Sequence, residues 1–295
     1  MATFQYSPLN ASLREIRLLV LHPASVDLRG STLEMSLIKT RLGGPITYTA
    51  LSYTWGDPQP TYPVLLDGTE FKVRRNLHEA LLHFRPIKGR LKLWVDAACI
   101  NQHDMRERES QVALMRDIYK EAEDVWAWLG PGDAIKAQAA FHFLRDLASR
   151  EWKDITEDLH HAQIARAETM QWVVSEATND AYVRRWLDVA YLLDSLWFSR
   201  MWIIQEVVVG KTVTVVCGCY AVLWDEVIYL ASKFIEKYWS AVILETSRST
   251  WRNELVSEFN GKLANLSLSA HHIAEIGRAR AFRMELPRLR DTNVS

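Results

Sequence analysis

Three short apolar segments, separated by two amphipathic ones, constrain the fold of this 295-residue chain most strongly. The apolar segments are Tyr48 to Thr54, the first part of Leu91 to Gln102, and Asp124 to Leu129, and each has the composition of a buried strand. In the second, the apolar character continues as far as Ile100 without a helical stripe. Between them, a segment that Asn76 can cap and a segment from Arg108 to Ala122 carry apolar side chains at helical spacing. Because strands that alternate with helices are typical of parallel sheets, the sequence predicts an α/β fold with a doubly wound sheet.

Two predicted hairpins add strands to this sheet near the amino terminus. Glu15 to Leu21 and Thr32 to Ile38 both read as strands and are expected to pair. Val64 to Val73 predicts two short strands joined at Asp67-Gly68, a dipeptide typical of a type I′ turn.

The second half of the chain is mainly helical by its pattern. Residues from about 134 to 195 contain no strand signal and predict an inserted group of helices. A helix is expected from Leu196 to Val209, a strand from Thr212 to Cys217 and a helix from Trp224 to Lys237. The arginine-rich last twenty residues leave two interpretations open, a loose basic extension or a packed terminal helix.

Composition excludes several classes of protein. The formal net charge is −1, which offers no general electrostatic attraction to nucleic acid or to an anionic membrane. No apolar run approaches the roughly 20 residues that a membrane-spanning helix needs. Three cysteines cannot all pair within one chain, and no secretory signal is recognisable, so we expect a reducing, cytoplasmic location.

Polar and aromatic residues follow two of the predicted strands where each should leave the sheet. A buried carboxylate is costly without hydrogen-bond donors, so Asp96 is expected near the end of its strand. Ligands of open α/β sheets collect beyond the carboxyl ends of strands, which predicts a site here for a planar polar ligand such as a nucleotide. The residues expected to line it are Tyr53, Thr54, Trp55, Gly56 and Asp57 after the first strand and Asp96, Asn101 and Gln102 after the second.

Both groups also have structural interpretations that the sequence leaves open. Asp96 is suited to fixing a loop through local hydrogen bonds. The Trp55-Gly56 turn is equally consistent with a turn that buries a tryptophan.

A third candidate group lies on the apolar helix predicted from Leu196 to Val209. Trp202 and Glu206 are four residues apart and are expected to share one face, with Gln205 adjacent. A carboxylate among isoleucines and valines needs a specific partner, and such acids are concentrated at working sites. The alternative is a structural clamp in which Glu206 pairs with Arg200 or another arginine.

Four ordered motifs resemble those of the fungal heterokaryon incompatibility (HET) domain. They are Tyr48 to Asp57 (YTALSYTWGD), Leu93 to Gln102 (LWVDAACINQ), Ser110 to Gly130 (SQVALMRDIYKEAEDVWAWLG) and Arg200 to Val209 (RMWIIQEVVV). The resemblance runs from about residue 6 to 230 and implies a role in the cell death that follows fusion of genetically unlike fungal cells. It implies a HET domain over 1–235, including the insertion, with 236–295 as a C-terminal helical extension. Such domains usually form part of larger proteins, so a separate sensor or effector protein is an expected partner.

HET domains in turn resemble TIR domains, which have a flavodoxin-like sheet and many of which hydrolyse NAD at the nicotinamide–ribose bond. By this resemblance Glu206 matches the catalytic glutamate and would stabilise an oxocarbenium-like state. Tyr53 and Trp55 would stack on a base, Trp202 would wall the pocket, and Arg200 would meet a phosphate. NAD would be a substrate, and no resident cofactor is expected.

The alternative hypothesis is a non-catalytic death-signalling module that acts by self-association or by binding a sensor. Its aromatic loops would then be contact surfaces, because tryptophan, tyrosine and arginine are favoured interface anchors. No metal site is expected, since Cys217 and Cys219 lack a second pair or a nearby histidine that would complete a zinc set.

Overall fold

The computed structural model describes residues 4–24, 32–156, 159–176, 180–248 and 269–283. They form two compact units, the first comprising Met1–Pro131 and Trp202–Val216 and the second comprising Gly132–Met201 and Cys217–Ser295. The strands are β1 Glu15–Leu21, β2 Glu34–Arg41, β3 Thr49–Tyr53, β4 Thr61–Leu66, β5 Thr69–Arg74, β6 Leu91–Trp94, β7 Asp124–Trp128, β8 Val213–Cys217 and β9 Tyr220–Leu223. The helices are α1 Arg75–His83, α2 Asp96–Cys99, α3 Met105–Glu121, α4 Ala134–Thr156, α5 Leu159–Glu176, α6 Asp180–Leu193, α7 Ile203–Val209, α8 Tyr229–Arg248 and α9, residues 269–283.

The first unit is built on a mixed sheet with the strand order β5-β4-β2-β1-β6-β3-β7-β8. Its centre is four parallel strands, β6, β3, β7 and β8. Numbered along the chain, these four lie in the order 2-1-3-4, which is the order of doubly wound, flavodoxin-like sheets. The predicted α/β class is therefore confirmed.

The parallel central strands are largely buried, because the crossover helices that join parallel strands cover the faces of the sheet. All five residues of β3 are buried, and the strand lies between β6 and β7. Trp94 of β6 and Trp128 of β7 are among the largest fully buried side chains. Strands covered by structure on both sides need apolar residues at successive positions, which explains their near-continuous hydrophobic sequences.

Both predicted hairpins are confirmed. β1 and β2 pair antiparallel over seven residue pairs, including Leu18 with Ile38. β4 and β5 also pair antiparallel, and the turn between them has positive φ at Asp67 (48°) and Gly68 (74°), as a type I′ turn requires.

Three local predictions were wrong. Asn76 does not cap α1, because the helix already begins at Arg75 and the Asn76 side chain bonds elsewhere. The apolar stretch from Leu91 leaves the sheet after Trp94, and Asp96–Cys99 forms the single helical turn α2.

The third correction concerns the helix expected from Leu196 to Val209, which begins only at Ile203. The preceding residues form turns in which amides bond to carbonyls three residues earlier, for example Phe198 N–H to Ser195 O. These tight turns place the apolar side chains without the regular bonding of an α-helix.

The second unit contains α4, α5, α6, α8, α9 and β9, so the predicted insertion of helices is confirmed. α4 packs against α5, α6 and α8, around buried aromatic side chains such as Phe141 and Trp186. The inserted helices and the C-terminal helices thus belong to one compact unit, and residue 235, the predicted domain boundary, lies within α8.

The arginine-rich tail is helical where it is described, as α9. Arg280 is almost completely buried and bonds to both carboxylate oxygens of Asp225, from Nε at 2.7 Å and Nη2 at 2.9 Å. The packed interpretation therefore holds up to residue 283, and residues 284–295 lie outside the described ones. Within the described ranges, none of the helices has both the length and the apolar composition to cross a membrane.

Candidate functional site

A cavity of about 890 Å³ lies beyond the carboxyl ends of β3 and β6. It brings together residues from four places in the first unit. They are the amino-terminal segment (Phe4, Gln5, Tyr6), the exit of β3 (Tyr53, Trp55), the edge strand β5 with α1 (Glu70 to Arg74, Leu77), and the segment after β6 (Ala97, Asn101 to His103). Four of the residues predicted from the sequence thus line one cavity, namely Tyr53, Trp55, Asn101 and Gln102.

Trp55 and Asp96 connect the exits of the two strands. The indole Nε1–H of Trp55 donates to Asp96 Oδ2 at 2.7 Å. The other carboxylate oxygen accepts from the Ala97 N–H at the start of α2, at 2.7 Å. Asp96 therefore fixes both the tryptophan and the local loop, which is the structural role that the sequence left open.

The turn after β3 is held in place from α1 and β5. Gly56 has φ +66°, a conformation that favours glycine, and its carbonyl accepts from Arg74 Nη1 at 3.0 Å. Asn76 donates from Nδ2 to Thr54 O at 2.6 Å and accepts from Trp128 Nε1 at 3.0 Å. The Asn76 side chain thus links the exits of β3 and β7.

Asn101 and Gln102 have mainly backbone partners. Asn101 Oδ1 accepts from the His103 N–H at 3.2 Å, and Gln102 Nε2 donates to Asp96 O at 2.9 Å. These bonds shape the loop after α2, and both residues still contribute to the cavity wall. Asp57 is exposed and does not line the cavity.

A buried ion pair lies beneath this loop. Arg17 is 1% exposed and bonds to both carboxylate oxygens of Glu107, at 2.6 and 2.9 Å. The same guanidinium donates to Cys99 O at 3.0 Å and to Ser7 O at 2.6 Å. Glu107 also accepts from the Asn101 N–H at 2.7 Å. The pair therefore ties together two walls of the cavity, the amino-terminal segment and the segment after β6.

Burial in this region also alters titration. It raises the pKa of the Tyr6 hydroxyl, which donates to Ala98 O at 3.0 Å. It raises the pKa of the fully buried Cys99 thiol to about 12. Both groups therefore stay neutral, and Cys99 is unsuited to act as a nucleophile.

Glu206 does not line the cavity. Its side chain is completely buried on α7 and accepts a hydrogen bond from Ser52 Oγ. Because successive residues of a strand point to opposite faces, Ser52 and Tyr53 of β3 face opposite sides of the sheet. The carboxylate therefore lies behind β3, on the side occupied by α7, while Tyr53 faces the cavity.

Two of the other residues predicted around Glu206 differ from it in exposure. Trp202 is 47% exposed, and Gln205 is exposed too, so neither shares the buried face of Glu206. Arg200 belongs to the second unit. Trp202 is the N-cap of this seven-residue helix, and its carbonyl accepts from the Glu206 N–H at 3.2 Å, so the two side chains differ in burial although the i to i+4 backbone bond is made.

Three residues important to the cavity were missed, Lys72, Arg74 and Asn76. The two cations lie two positions apart on β5 and therefore point to one face of that strand. Two positive charges at alternate positions of the predicted hairpin could have indicated that this strand contributes a cationic face. The role of Asn76 had no such signal, because its partners are distant in sequence.

Metal-binding groups are not clustered in the part of the chain that the structure describes: no three His, Cys, Asp or Glu side chains are grouped to hold an ion. Cys217 is buried at the end of β8, whereas Cys219 is exposed after a Gly218 with φ +52°.

An α/β unit with a mixed sheet and an aromatic cavity at its strand exits defines the class of this domain, and comparison with known proteins specifies the family. The profile of the family described as Heterokaryon incompatibility protein (HET) matches residues 48–206. The chain is also 31% identical over 251 residues to Heterokaryon incompatibility protein 6, OR allele, of Neurospora crassa, which covers 75% of this chain and 35% of that protein. The chain belongs to the HET family, as its motifs indicated.

The chain spans about a third of the length of the curated relative it matches. No solved structure matches it. The strand exits of β3 and β6, the helix α3 and the segment up to Glu206 all lie within the matched range 48–206, whereas β1, β2 and the amino-terminal wall of the cavity lie outside it.

Proposed function

We propose that this chain acts in allorecognition, as a module that promotes cell death when unlike cells fuse. The proposal is supported by the family match and by the heterokaryon incompatibility protein of Neurospora crassa, with which the chain shares 31% identity. Its partners in this role are a second copy of the chain or a separate sensor or effector protein.

The cavity is proposed to bind NAD or a related nucleotide. The observation that carries this proposal is the composition of its wall, where the aromatic rings of Tyr53 and Trp55 and the cation of Arg74 converge in one space of about 890 Å³. Ligand sites are typically apolar clefts of this size with a few placed polar groups. A nucleotide has both the flat ring and the anionic groups that such a wall accommodates.

Hydrolysis of NAD at the nicotinamide–ribose bond is the proposed activity, with Glu206 stabilising positive charge that develops on the ribose. In the described conformation Glu206 is buried and bonded to Ser52, on the opposite side of β3 from Tyr53. The proposed mechanism therefore includes a displacement of α7 that frees the carboxylate. Self-association or partner binding would drive that displacement, so the isolated chain is expected to be a slow enzyme.

The second candidate is a non-catalytic signalling module. The complete burial of Glu206 and its bond to Ser52 favour this alternative, because a satisfied buried carboxylate is what a structural role requires. In this case nucleotide binding would regulate assembly and no bond in the ligand would be broken.

Incubation of the purified chain with NAD, with and without a crowding agent, distinguishes the two candidates. The hydrolytic proposal predicts release of free nicotinamide, and Glu206→Gln should reduce the rate by about 100-fold or more, the usual loss when a transition-state contact is removed. Glu109→Gln is the matched control, because Glu109 is an exposed residue of α3 that does not line the cavity.

The outcomes separate the hypotheses. Full release of nicotinamide by the Glu206→Gln variant removes Glu206 from its role. If the wild type releases none under either condition but still kills fungal cells that express it, the non-catalytic module is the correct description. The same conclusion is supported if no nicotinamide is released and both the Glu206→Gln and the Glu109→Gln variants still kill the cells.

A further inference from the structure

The cavity has an excess of positive charge that its own residues do not neutralise. Lys72 and Arg74 line it, and Glu70 is the one acidic residue among the described lining residues. Within the described part of the chain, the Lys72 ammonium has neither a hydrogen bond nor an ion pair with another residue. Unpaired cations at the rim of an apolar cavity are a favourable environment for an anion.

Arg74 is held in an orientation suited to an oxyanion. Its guanidinium lies over the Trp55 ring, 4.9 Å from the centroid, and one of its Nη1–H groups donates to Gly56 O. Stacking fixes the plane of the guanidinium, and the Gly56 carbonyl uses one of its five N–H donors. The remaining donors form a preorganised fork of the kind that binds phosphate or carboxylate in two places.

An aromatic wall lines another part of the same cavity. It consists of Phe4, Tyr6 and Phe71, with ring centroids 4.9 Å apart for Phe4 and Tyr6 and 5.8 Å apart for Phe4 and Phe71. All three side chains are only partly buried, so ring surface remains available to a ligand. Phe4 meets Tyr6 and Phe71 edge to face, at interplanar angles of 90° and 80°, so a planar base can stack on one of these rings and contact the edges of its neighbours. Aromatic faces bind bases without selecting one.

We propose that Lys72 and Arg74 form a phosphate subsite, and that the cavity takes a nucleoside phosphate whose base lies against the wall of Phe4, Tyr6 and Phe71. The inference rests on the proposed nucleotide-binding role and specifies its anion contact. Residues two positions apart on a strand are separated by about 6.6 Å and point the same way, so one dianionic phosphate reaches both cations. The contact is thereby assigned to Arg74 in place of Arg200, which does not line the cavity.

The test compares AMP with adenosine as probes of the full chain, by isothermal titration calorimetry at low salt. The two probes share the base and the ribose, so their affinity ratio isolates the phosphate. We expect AMP to bind at least about tenfold more tightly than adenosine, since hydrogen bonds to a charged group contribute that much or more. Arg74→Gln and Lys72→Gln should each reduce the ratio several-fold and leave adenosine binding unchanged.

Arg75→Gln is the matched control. Arg75 is the neighbour of Arg74, its side chain is 67% exposed, and it pairs with Glu79 on α1 without lining the cavity. Equal losses of AMP affinity in the Arg74 and Arg75 variants would overturn the proposal, because they would indicate general attraction of an anion to a positive surface. Equal binding of AMP and adenosine by the wild type, or binding of neither, would also overturn it.

Two further results keep the test decisive. If Arg74→Gln also loses adenosine binding, so that its fold is disturbed, the exposed Lys72→Gln variant decides, and an unchanged ratio there refutes the subsite. Nicotinamide release reports on the proposed hydrolysis separately. If the wild type releases nicotinamide and both variants release it at the same rate, the phosphate subsite is refuted while the proposed function survives. If the wild type prefers AMP to adenosine as expected but releases no nicotinamide, hydrolysis alone is refuted.

Discussion

Removal of the Glu107 carboxylate should destabilise the first unit far more than removal of any exposed charge on the same helix. In the wild type, Arg17 has four hydrogen bonds, two to Glu107 and one each to Cys99 O and Ser7 O. Glu107→Ala leaves a guanidinium that is 1% exposed with two carbonyl partners and no counter-ion. It also removes the acceptor of the Asn101 N–H.

The expected magnitude follows from this burial. Breaking a buried ion pair by removing one partner costs about 3–5 kcal/mol, because the other charge stays buried and uncompensated. That is a large part of the roughly 5–15 kcal/mol by which domains are stable. Glu107→Gln retains one acceptor oxygen and should cost about 1–3 kcal/mol.

A matched control lies nearly three turns further along α3. Asp117 pairs with Arg14, and their side chains are 43% and 49% exposed. Since exposed ion pairs contribute about 0–1 kcal/mol, Asp117→Ala should change the free energy of unfolding by no more than that. The two substitutions remove the same charge from the same helix and differ in burial.

The measurement is urea unfolding of the full chain, followed in parallel by tryptophan fluorescence and far-ultraviolet circular dichroism. Because the chain has two compact units, free energies are compared only over the transition in which both probes coincide. Replacing both partners, as Arg17→Met with Glu107→Leu, should be less harmful than Glu107→Ala alone. A Glu107→Ala variant within about 1 kcal/mol of the Asp117→Ala variant would refute the reasoning.

Three further predictions concern reactivity, pH and a polar link. Native alkylation with iodoacetamide at pH 8 should label the exposed Cys219 and spare Cys99, whose burial raises its pKa to about 12, and peptide mass spectrometry reads the ratio. Burial lowers the pKa of His78 and of His83 in the folded state. The unfolded chain therefore binds protons first as the pH falls below about 6.5, and the stability of the fold should decrease there. A thermal midpoint that depends on pH to the same extent in the variant with both histidines replaced by glutamine would contradict this. Asn76→Leu should cost about 1–3 kcal/mol in urea unfolding, because a buried indole N–H loses its acceptor; no measurable cost would mean that water replaces the amide.

The sheet could be predicted from the sequence because local patterns determine it. The type I′ hairpin needs two residues with positive φ, and Asp67-Gly68 supplies them without reference to the rest of the chain. β3 and β7 are buried on both faces, which leaves a continuous apolar signature. The end of α3 was predicted to within one residue, whereas its start was predicted three residues late, at Arg108, because the cap by Asp104, which accepts from the N–H groups of Arg106 and Glu107, was not recognised.

The errors arose where tertiary contacts override local pattern. Asn76 is a residue type that favours a helix N-cap, where its side chain would satisfy one backbone amide. In the structure its side chain instead bonds to both Thr54 O and the indole N–H of Trp128. The apolar run after Trp94 resembles a longer strand. It forms α2 instead, where the Asp96 carboxylate accepts from the Trp55 indole and from the Ala97 N–H. Trp55, Thr54 and Trp128 are all distant in sequence from the side chains that they bind, so a local pattern does not indicate these bonds.

The position of Glu206 is the most informative case, because it depends on a single alternation. An acid on an apolar helix beside a strand exit can face a ligand or a strand backbone, and the two arrangements have the same sequence. Ser52 decides between them: its hydroxyl is the partner of Glu206 on one face of β3, and its neighbour Tyr53 lines the cavity on the other. A hydrolytic function therefore requires that this bond break, so Ser52→Ala, which removes one partner of the carboxylate, should raise nicotinamide production if Glu206 is catalytic. If Glu206 is structural, the same substitution destabilises the fold and does not raise nicotinamide production. The direction of the change in nicotinamide production therefore separates the hypotheses without any knowledge of the activating partner.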